Sequence, residues 1–330
     1  MDLRGNHLVE IRNLHGLPQL QHLNLDDNCI QEFPIFDLPS ARCTSLRSLR
    51  MCKNGATSFA VDGHFPRLES LYVDGNSLIQ IPGLEHLRYL RTFSAREQEL
   101  EIDSQAESCI GGLLKNVEVR NLYMSLNPSR SLQIPQHMLS LQRLELASMG
   151  LKELPDNFGQ LCPNARSVNL NFNALKDLRP LLNIRRLNEL FVAGNKLDRL
   201  RMTADVLGRL TTLAKLDLRE NPLTMRFYAP ASENRVMSLR QKPSEEAASD
   251  RFVLPDGDPE ADQQHLSRLD YETRLRRRVQ EVMLVNTCTN LQQLDGLPFD
   301  KARVLVKDDI WERLLFLGVI RRRSPENTTE

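Results

Sequence analysis

The sequence predicts an α/β solenoid: a curved parallel β-sheet on the concave face, about ten to eleven stacked repeats, and a helical C-terminal cap. Three observations predict it. The pattern LxxLxLxxN recurs along residues 1–221. Its asparagine slots fall 22 to 29 residues apart. A helix-spaced apolar segment then leads into one last strand pattern, LQQLDG, at 291–296.

Clear copies of the pattern are LQHLNLDDN (20–28), LRSLRMCKN (46–54), LESLYVDGN (68–76), LNELFVAGN (187–195) and LAKLDLREN (213–221). Weaker ones are LRTFSAREQ (90–98), VRNLYMSLN (119–127), LQRLELASM (141–149) and ARSVNLNFN (165–173), and a truncated copy, MDLRGN, opens the chain. The slots fall at 6, 28, 54, 76, 98, 127, 149, 173, 195 and 221, and only Gln98 and Met149 are not asparagine. This period is that of the leucine-rich repeat. The LxL core alternates with period two, so its leucines turn into the solenoid and the residues between them turn out. Asparagine can bond backbone groups where the chain leaves the strand, and each repeat buries its apolar face only against its neighbours. Segments such as LKELPDNFGQL (151–161) and IPGLEHL (81–87) are expected to form short helical or extended turns on the convex side. The widest gap carries the acidic insertion ELEIDSQAES, expected to bulge from that side. Met1 falls inside a repeat with no polar cap before it, so the chain is expected to continue upstream.

The solenoid is expected to span 1–230. Residues 231–263 are polar and acidic with several prolines, which predicts a disordered insertion. Its DGDPEAD lacks the glycine and closing glutamate of a calcium loop. The cap is expected over 264–320. Leu266, Leu269, Leu275, Val279, Val282 and Met283 carry helical spacing over about 262–286. Leu291 and Leu294 supply the last strand. The run Arg276–Arg278 reads as the solvated face of that helix, with a docking patch for acidic or phosphorylated partners as the functional alternative. KDDIWERLLFLGVI (307–320) reads as a short amphipathic helix with Asp308 or Asp309 as N-cap and Gly318 as its stop. Trp311, Leu314, Leu315 and Leu317 are expected to pack on the cap, and 321–330 to be a disordered tail.

Apolar residues make up 41% and charged residues 26%, which predicts a folded chain. Forty-three basic residues balance 43 acidic ones, so bulk phosphate neutralisation of nucleic acid is not expected. No stretch approaches the roughly 20 apolar residues of a membrane span. MDLRGNHLVE lacks the basic and apolar regions of a signal peptide. Six scattered cysteines without CxxC fit reduced thiols, not disulfides or zinc. Phosphate loops, HExxH, GxSxG and GxGxxG are absent, and the seven histidines do not pair at ligand spacing. No enzyme activity, cofactor, metal or small-molecule substrate is expected.

Binding is expected on the concave sheet, which solenoid curvature presents as one platform. Its central outward column reads Asn24, Arg50, Tyr72, Ser94, Tyr123, Glu145, Asn169, Phe191, Asp217. A later column includes Phe172, and an earlier one includes Arg47, Arg91, Arg120 and Arg166, with Arg143 beside it. Aromatics and arginine anchor interfaces. Tyr72, Tyr123, Phe172 and Phe191, with Arg50, Arg91, Arg120, Arg143 and Arg166, therefore predict a groove for protein segments bearing acidic or phosphorylated residues.

The stretch LVNTCTNLQQLDGLPFDKARVLVKDDIWERLLFLGVI (284–320) resembles the end of the fungal spindle-pole-body scaffolds of the septation-initiation and mitotic-exit networks, which are similar in role to centriolin-type proteins. The LDG, FD, WERL and LGV elements carry the resemblance. It implies a non-catalytic scaffold in the cytoplasm, at the spindle pole body, whose partners are pole-anchoring and septation or mitotic-exit signalling proteins. It also implies a long N-terminal half absent from this sequence, so recruitment of a kinase module is not carried over. Three readings stand beside it. They are a leucine-rich-repeat regulatory subunit of a protein phosphatase, a component like the spliceosomal A-prime protein, and a generic leucine-rich-repeat adaptor.

Overall fold

The computed structural model describes residues 1–33, 42–61, 63–78, 81–98, 118–127, 132, 134, 137–229, 252–318 and 320. Among these residues ten parallel strands stack side by side: β1 (His22–Asn24), β3 (Ser48–Arg50), β5 (Ser70–Tyr72), β6 (Thr92–Ser94), β7 (Asn121–Tyr123), β8 (Arg143–Glu145), β9 (Ser167–Asn169), β10 (Glu189–Phe191), β11 (Lys215–Asp217) and β12 (Gln293–Leu294). β13 (Leu297–Pro298) folds back antiparallel on β12. At the other edge Asp2 bridges to Asn24, which continues the sheet into the opening MDLRGN. A separate parallel pair, β2 (Glu32–Phe33) and β4 (Ser58–Phe59), follows the first two clear repeats. Phe33 stacks on Phe59 and Phe65 there.

The strands are in register by repeat position, so Leu23, Leu49, Leu71, Phe93, Leu122, Leu144, Val168, Leu190 and Leu216 form one internal ladder. The residues two further on form a second, and every member of both is at most 2% exposed. Burying each of these side chains other than Ala95 contributes about 1.5–3 kcal/mol before chain entropy is subtracted. The asparagines tie the turns together. Asn173 Nδ2 donates to Leu146 O of the preceding repeat and to Leu170 O of its own, both at 2.9 Å. Its Oδ1 accepts from Met149 N and Leu151 N. Gln98 reaches the same way, with Nε2 donating to Val73 O at 2.6 Å. Met149 has no amide to offer and its side chain is buried instead.

Convex segments are short: three-residue helical turns such as Leu84–His86 and Arg179–Leu181, α1 (Phe158–Leu161) and α2 (Leu200–Leu207). The acidic insertion and the tail 321–330 lie outside the described residues.

The expected disordered segment 231–263 needs correction at its C-terminal end. Residues 230–251 lie outside the described residues, but 252–258 lie on the sheet and α3 (Pro259–Arg268) follows. Nor is the cap helix continuous over 262–286. Asp270 accepts from Thr273 N and starts a new helix, α4 (Tyr271–Thr287). α4 packs on α2, α5 (Lys301–Val304) and α6 (Asp309–Phe316). Asp308 caps α6, and Gly318 follows it with φ +70°. Leu291, Leu294 and Leu314 are buried, and Trp311 is half-buried against the core. Leu317 is exposed, contrary to expectation.

Of the arginine run on α4, Arg276 is exposed as expected, but Arg277 and Arg278 are not on a solvated face. Arg277 is 2% exposed, holds Asp262 through two bonds of 2.9 and 2.7 Å, and contacts Glu281. Arg278 bonds Asp308 and the Arg303 carbonyl. Helical spacing marks the apolar stripe but not a buried ion pair, so sequence reading assigned these charges to water.

Candidate protein-binding face

Strand alternation puts the first and third residue of each strand, and the residue two further on, on the concave side. That last column, which includes Asp26, Asp74, Arg96, Asn171 and Arg219, escaped the sequence reading. With the central column it forms a chain of buried ion pairs. Asp26 accepts from Arg50 Nε at 2.8 Å, and Arg50 lies over the Tyr72 ring at 4.8 Å. Asp74 accepts from Ser94 Oγ and Arg96 N. Arg96 grips Glu145 through two bonds of 2.6 and 2.8 Å, and Ser125 Oγ donates to the same carboxylate. Arg219 holds Asp217 the same way.

The aromatics expected to be open are largely covered. Tyr123 is 8% exposed beneath Arg96, whose guanidinium carbon is 4.5 Å from the ring centroid. Phe191 is buried, with Lys215 Nζ at 5.6 Å. Burial raises the Tyr72 hydroxyl above its ordinary pKa. Phe172 is not on the strand face. It occupies the turn with φ +59°, as do Asp27, Lys53, Leu126, Ser148 and Glu220 at the same point of other repeats.

Part of the cover comes from the chain itself. Residues 252–258 cross the C-terminal half of the sheet as an internal strap. Asn169 and Asn171 Nδ2 both donate to Phe252 O, at 3.2 and 2.8 Å. Arg219 donates to Leu254 O and Pro255 O, and Gly257 N to Gly296 O. The Phe252 and Leu254 side chains are buried. The polar sequence on either side of Phe252–Leu254 hid this segment, and backbone carbonyls make most of its hydrogen bonds to the sheet.

What stays open is the rim where the strands start. Arg120 precedes β7, Arg166 precedes β9, and Arg143 opens β8. Arg186, which the sequence reading missed, lies three residues before β10. A hollow of about 800 Å3 is lined by Arg143, Arg166 and Arg186 with Tyr123, Asn188 and Glu189. A smaller hollow of about 160 Å3 adjoins it, lined by Arg120, Arg166, Arg186 and Gln142. These four arginines, and Arg91 one repeat earlier, are exposed and have no carboxylate partner among the described residues. Of the predicted set, Tyr123, Arg143 and Arg166 therefore meet in the larger hollow, with Arg120 beside it. Arg50, Tyr72, Phe172 and Phe191 lie elsewhere. No group of acids, histidines and cysteines among the described residues could hold a metal ion. No helix there is long and apolar enough to cross a membrane.

The stacked parallel sheet and the asparagine ladder define a leucine-rich-repeat protein. The chain is homologous to the septation initiation network scaffold protein cdc11 of Schizosaccharomyces pombe, with 29% identity over 238 residues, 70% of this chain and 22% of that protein. That homology bears out the resemblance drawn from residues 284–320. Mouse keratocan is 24% identical over 199 residues, covering 51% of this chain and 55% of keratocan. No family model matches the sequence. Among solved structures, the Toll–Spatzle complex of Drosophila superposes with a TM-score of 0.54 at 21% identity, over 67% of this chain and 29% of that one. An internalin of Listeria monocytogenes gives 0.49 at 19% identity, over 64% and 66%. At its identity the Toll–Spatzle match speaks to fold alone.

Proposed function

We propose that the chain is the partner-binding domain of a non-catalytic scaffold that anchors septation-initiation or mitotic-exit signalling proteins at the spindle pole body. The homology to cdc11 supports this most directly, though the match spans 22% of that protein. The structure adds a physical reason. The charged groups of the sheet centre are locked to one another, as in Arg96–Glu145 and Arg219–Asp217, which suits a rigid platform better than proton transfer. The open rim with Arg91, Arg120, Arg143, Arg166 and Arg186 is the surface left for a partner.

The test is to tag the chain in dividing cells, image it, and identify co-purifying proteins by mass spectrometry. Spindle-pole signal with recovery of pole and septation components is the expected result. Dominant recovery of a phosphatase catalytic subunit or spliceosomal proteins, with no signal at the poles, would sink the reading.

A further inference from the structure

We infer that the rim hollow between β7 and β10 binds a phosphorylated serine or threonine within an extended segment of a protein partner. The inference rests on the scaffold reading and narrows it to one chemistry and one site.

Charge is the first argument. Elsewhere on the sheet each central guanidinium has its carboxylate: Arg50 with Asp26, Arg96 with Glu145, Arg219 with Asp217. At the rim, Arg120, Arg143, Arg166 and Arg186 face one lining acid, Glu189. A single partner carboxylate would leave most of that charge uncompensated. A phosphate monoester carries about −1.5 to −2 at neutral pH and accepts bidentate arginine bonds.

Spacing is the second. The backbone N–H of Gln142 bonds Arg120 O and that of Arg166 bonds Gln142 O, so these residues follow one another across adjacent strands. At about 4.8 Å per strand, the Arg120 and Arg166 stems are about 10 Å apart, with Arg143 rooted between them. Arg166 and Arg186 line both hollows, so one phosphate and a neighbouring acid can share them.

Extent decides the class of ligand. The free charge stops at both ends. On the N-terminal side Arg47 pairs with Glu69, and on the C-terminal side Lys215 is 3.7 Å from Asp256. What remains runs from Arg67, exposed three residues before β5, to Arg186, about five strand spacings or roughly 24 Å. That length suits a few peptide residues. A nucleic-acid strand would meet Glu189 in the hollow and neutralised pairs beyond it.

The 330-residue chain is passed over a degenerate library of phosphoserine and phosphothreonine peptides. The same library dephosphorylated, a glutamate-substituted library and a short single-stranded RNA run beside it. A retained peptide is then titrated by fluorescence anisotropy against Arg143→Ala, Arg166→Ala and Arg186→Ala. Arg201→Ala, exposed on α2, is the control, and thermal melts verify folding. The expected result is selective retention of phosphopeptides, with affinity at least about tenfold weaker in each rim variant and unchanged in the control. Equal retention of dephosphorylated or glutamate peptides, preference for RNA, or unaltered binding by Arg166→Ala would overturn it. If spindle-pole recovery persists while phosphopeptides fail, this inference falls alone. If the tagged chain never reaches the pole, the scaffold reading falls whatever the peptides show.

Discussion

Gly159 lies inside α1 with the Leu182 carbonyl oxygen where its side chain would be. A Cβ built there falls 1.8 Å from that oxygen. The obstacle is backbone, so no rotamer change can relieve it. Gly159→Ala is expected to lower unfolding free energy by about 3 kcal/mol or more, at the upper end of overpacking costs, read as a shift of the denaturant midpoint. A change under about 0.5 kcal/mol would mean that the two repeats slide apart freely. At this scale the sequence was legible wherever a residue type has one job. The asparagine slots bond the carbonyls their position demands, and Gln98 substitutes with a longer reach. It was illegible where the partner is distant. Nothing in the order of residues says that Arg96 will meet Glu145, 49 positions on. Phe172 was misplaced for another reason: the turn holds it at positive φ, one step beyond the alternating strand face.

Between repeats and cap, β12, the strap and Tyr228 enclose Asp295. Its Oδ2 accepts from the Tyr228 hydroxyl at 2.7 Å and its Oδ1 from Leu218 N at 2.5 Å. Burial, reinforced by the nearby Asp217, pushes its carboxyl up to about 7. An unfolded aspartate titrates near 3.9. Between about pH 4 and pH 7 the folded chain therefore holds a proton that the unfolded chain has released, and stability falls as pH rises through that window. Lowering the pH from 8 toward 5.5 should stabilise the wild-type chain by up to about 1.4 kcal/mol per unit from this group. Asp295→Asn keeps the shape and an acceptor for Leu218 N, so it should lose this contribution. Denaturant midpoints of both proteins across that range give the comparison, and parallel curves would remove Asp295 as the cause. The cap also shows what periodicity can and cannot reveal. The helix spacing and the Asp308 cap were readable from local pattern. The break at Asp270 and the path of residues 252–258 were not, because the strap is held by its carbonyls and by Phe252 and Leu254, which stand in no repeating array.

In the whole molecule the backbone of each repeat pairs only with its neighbours, and longer links such as Arg96–Glu145 and the strap are few, so stability is transmitted along the stack and need not be lost at once. The C-terminal end is closed by α4, whose Leu284 is fully buried in the common core, and the last strands β11 and β12 depend on that closure. Leu284→Ala should cost about 2–5 kcal/mol, as for buried leucines elsewhere. The loss should be local before it is global. Hydrogen exchange followed by mass spectrometry is expected to show faster exchange first in β12 and β11, then in β10, while β3 to β5 keep wild-type protection under mild conditions. The rim arginines between β7 and β10 lie between these limits, so phosphopeptide binding should weaken less than cap protection does. A uniform loss of protection from β1 to β12 would instead make the solenoid one cooperative unit, and the graded picture would fail.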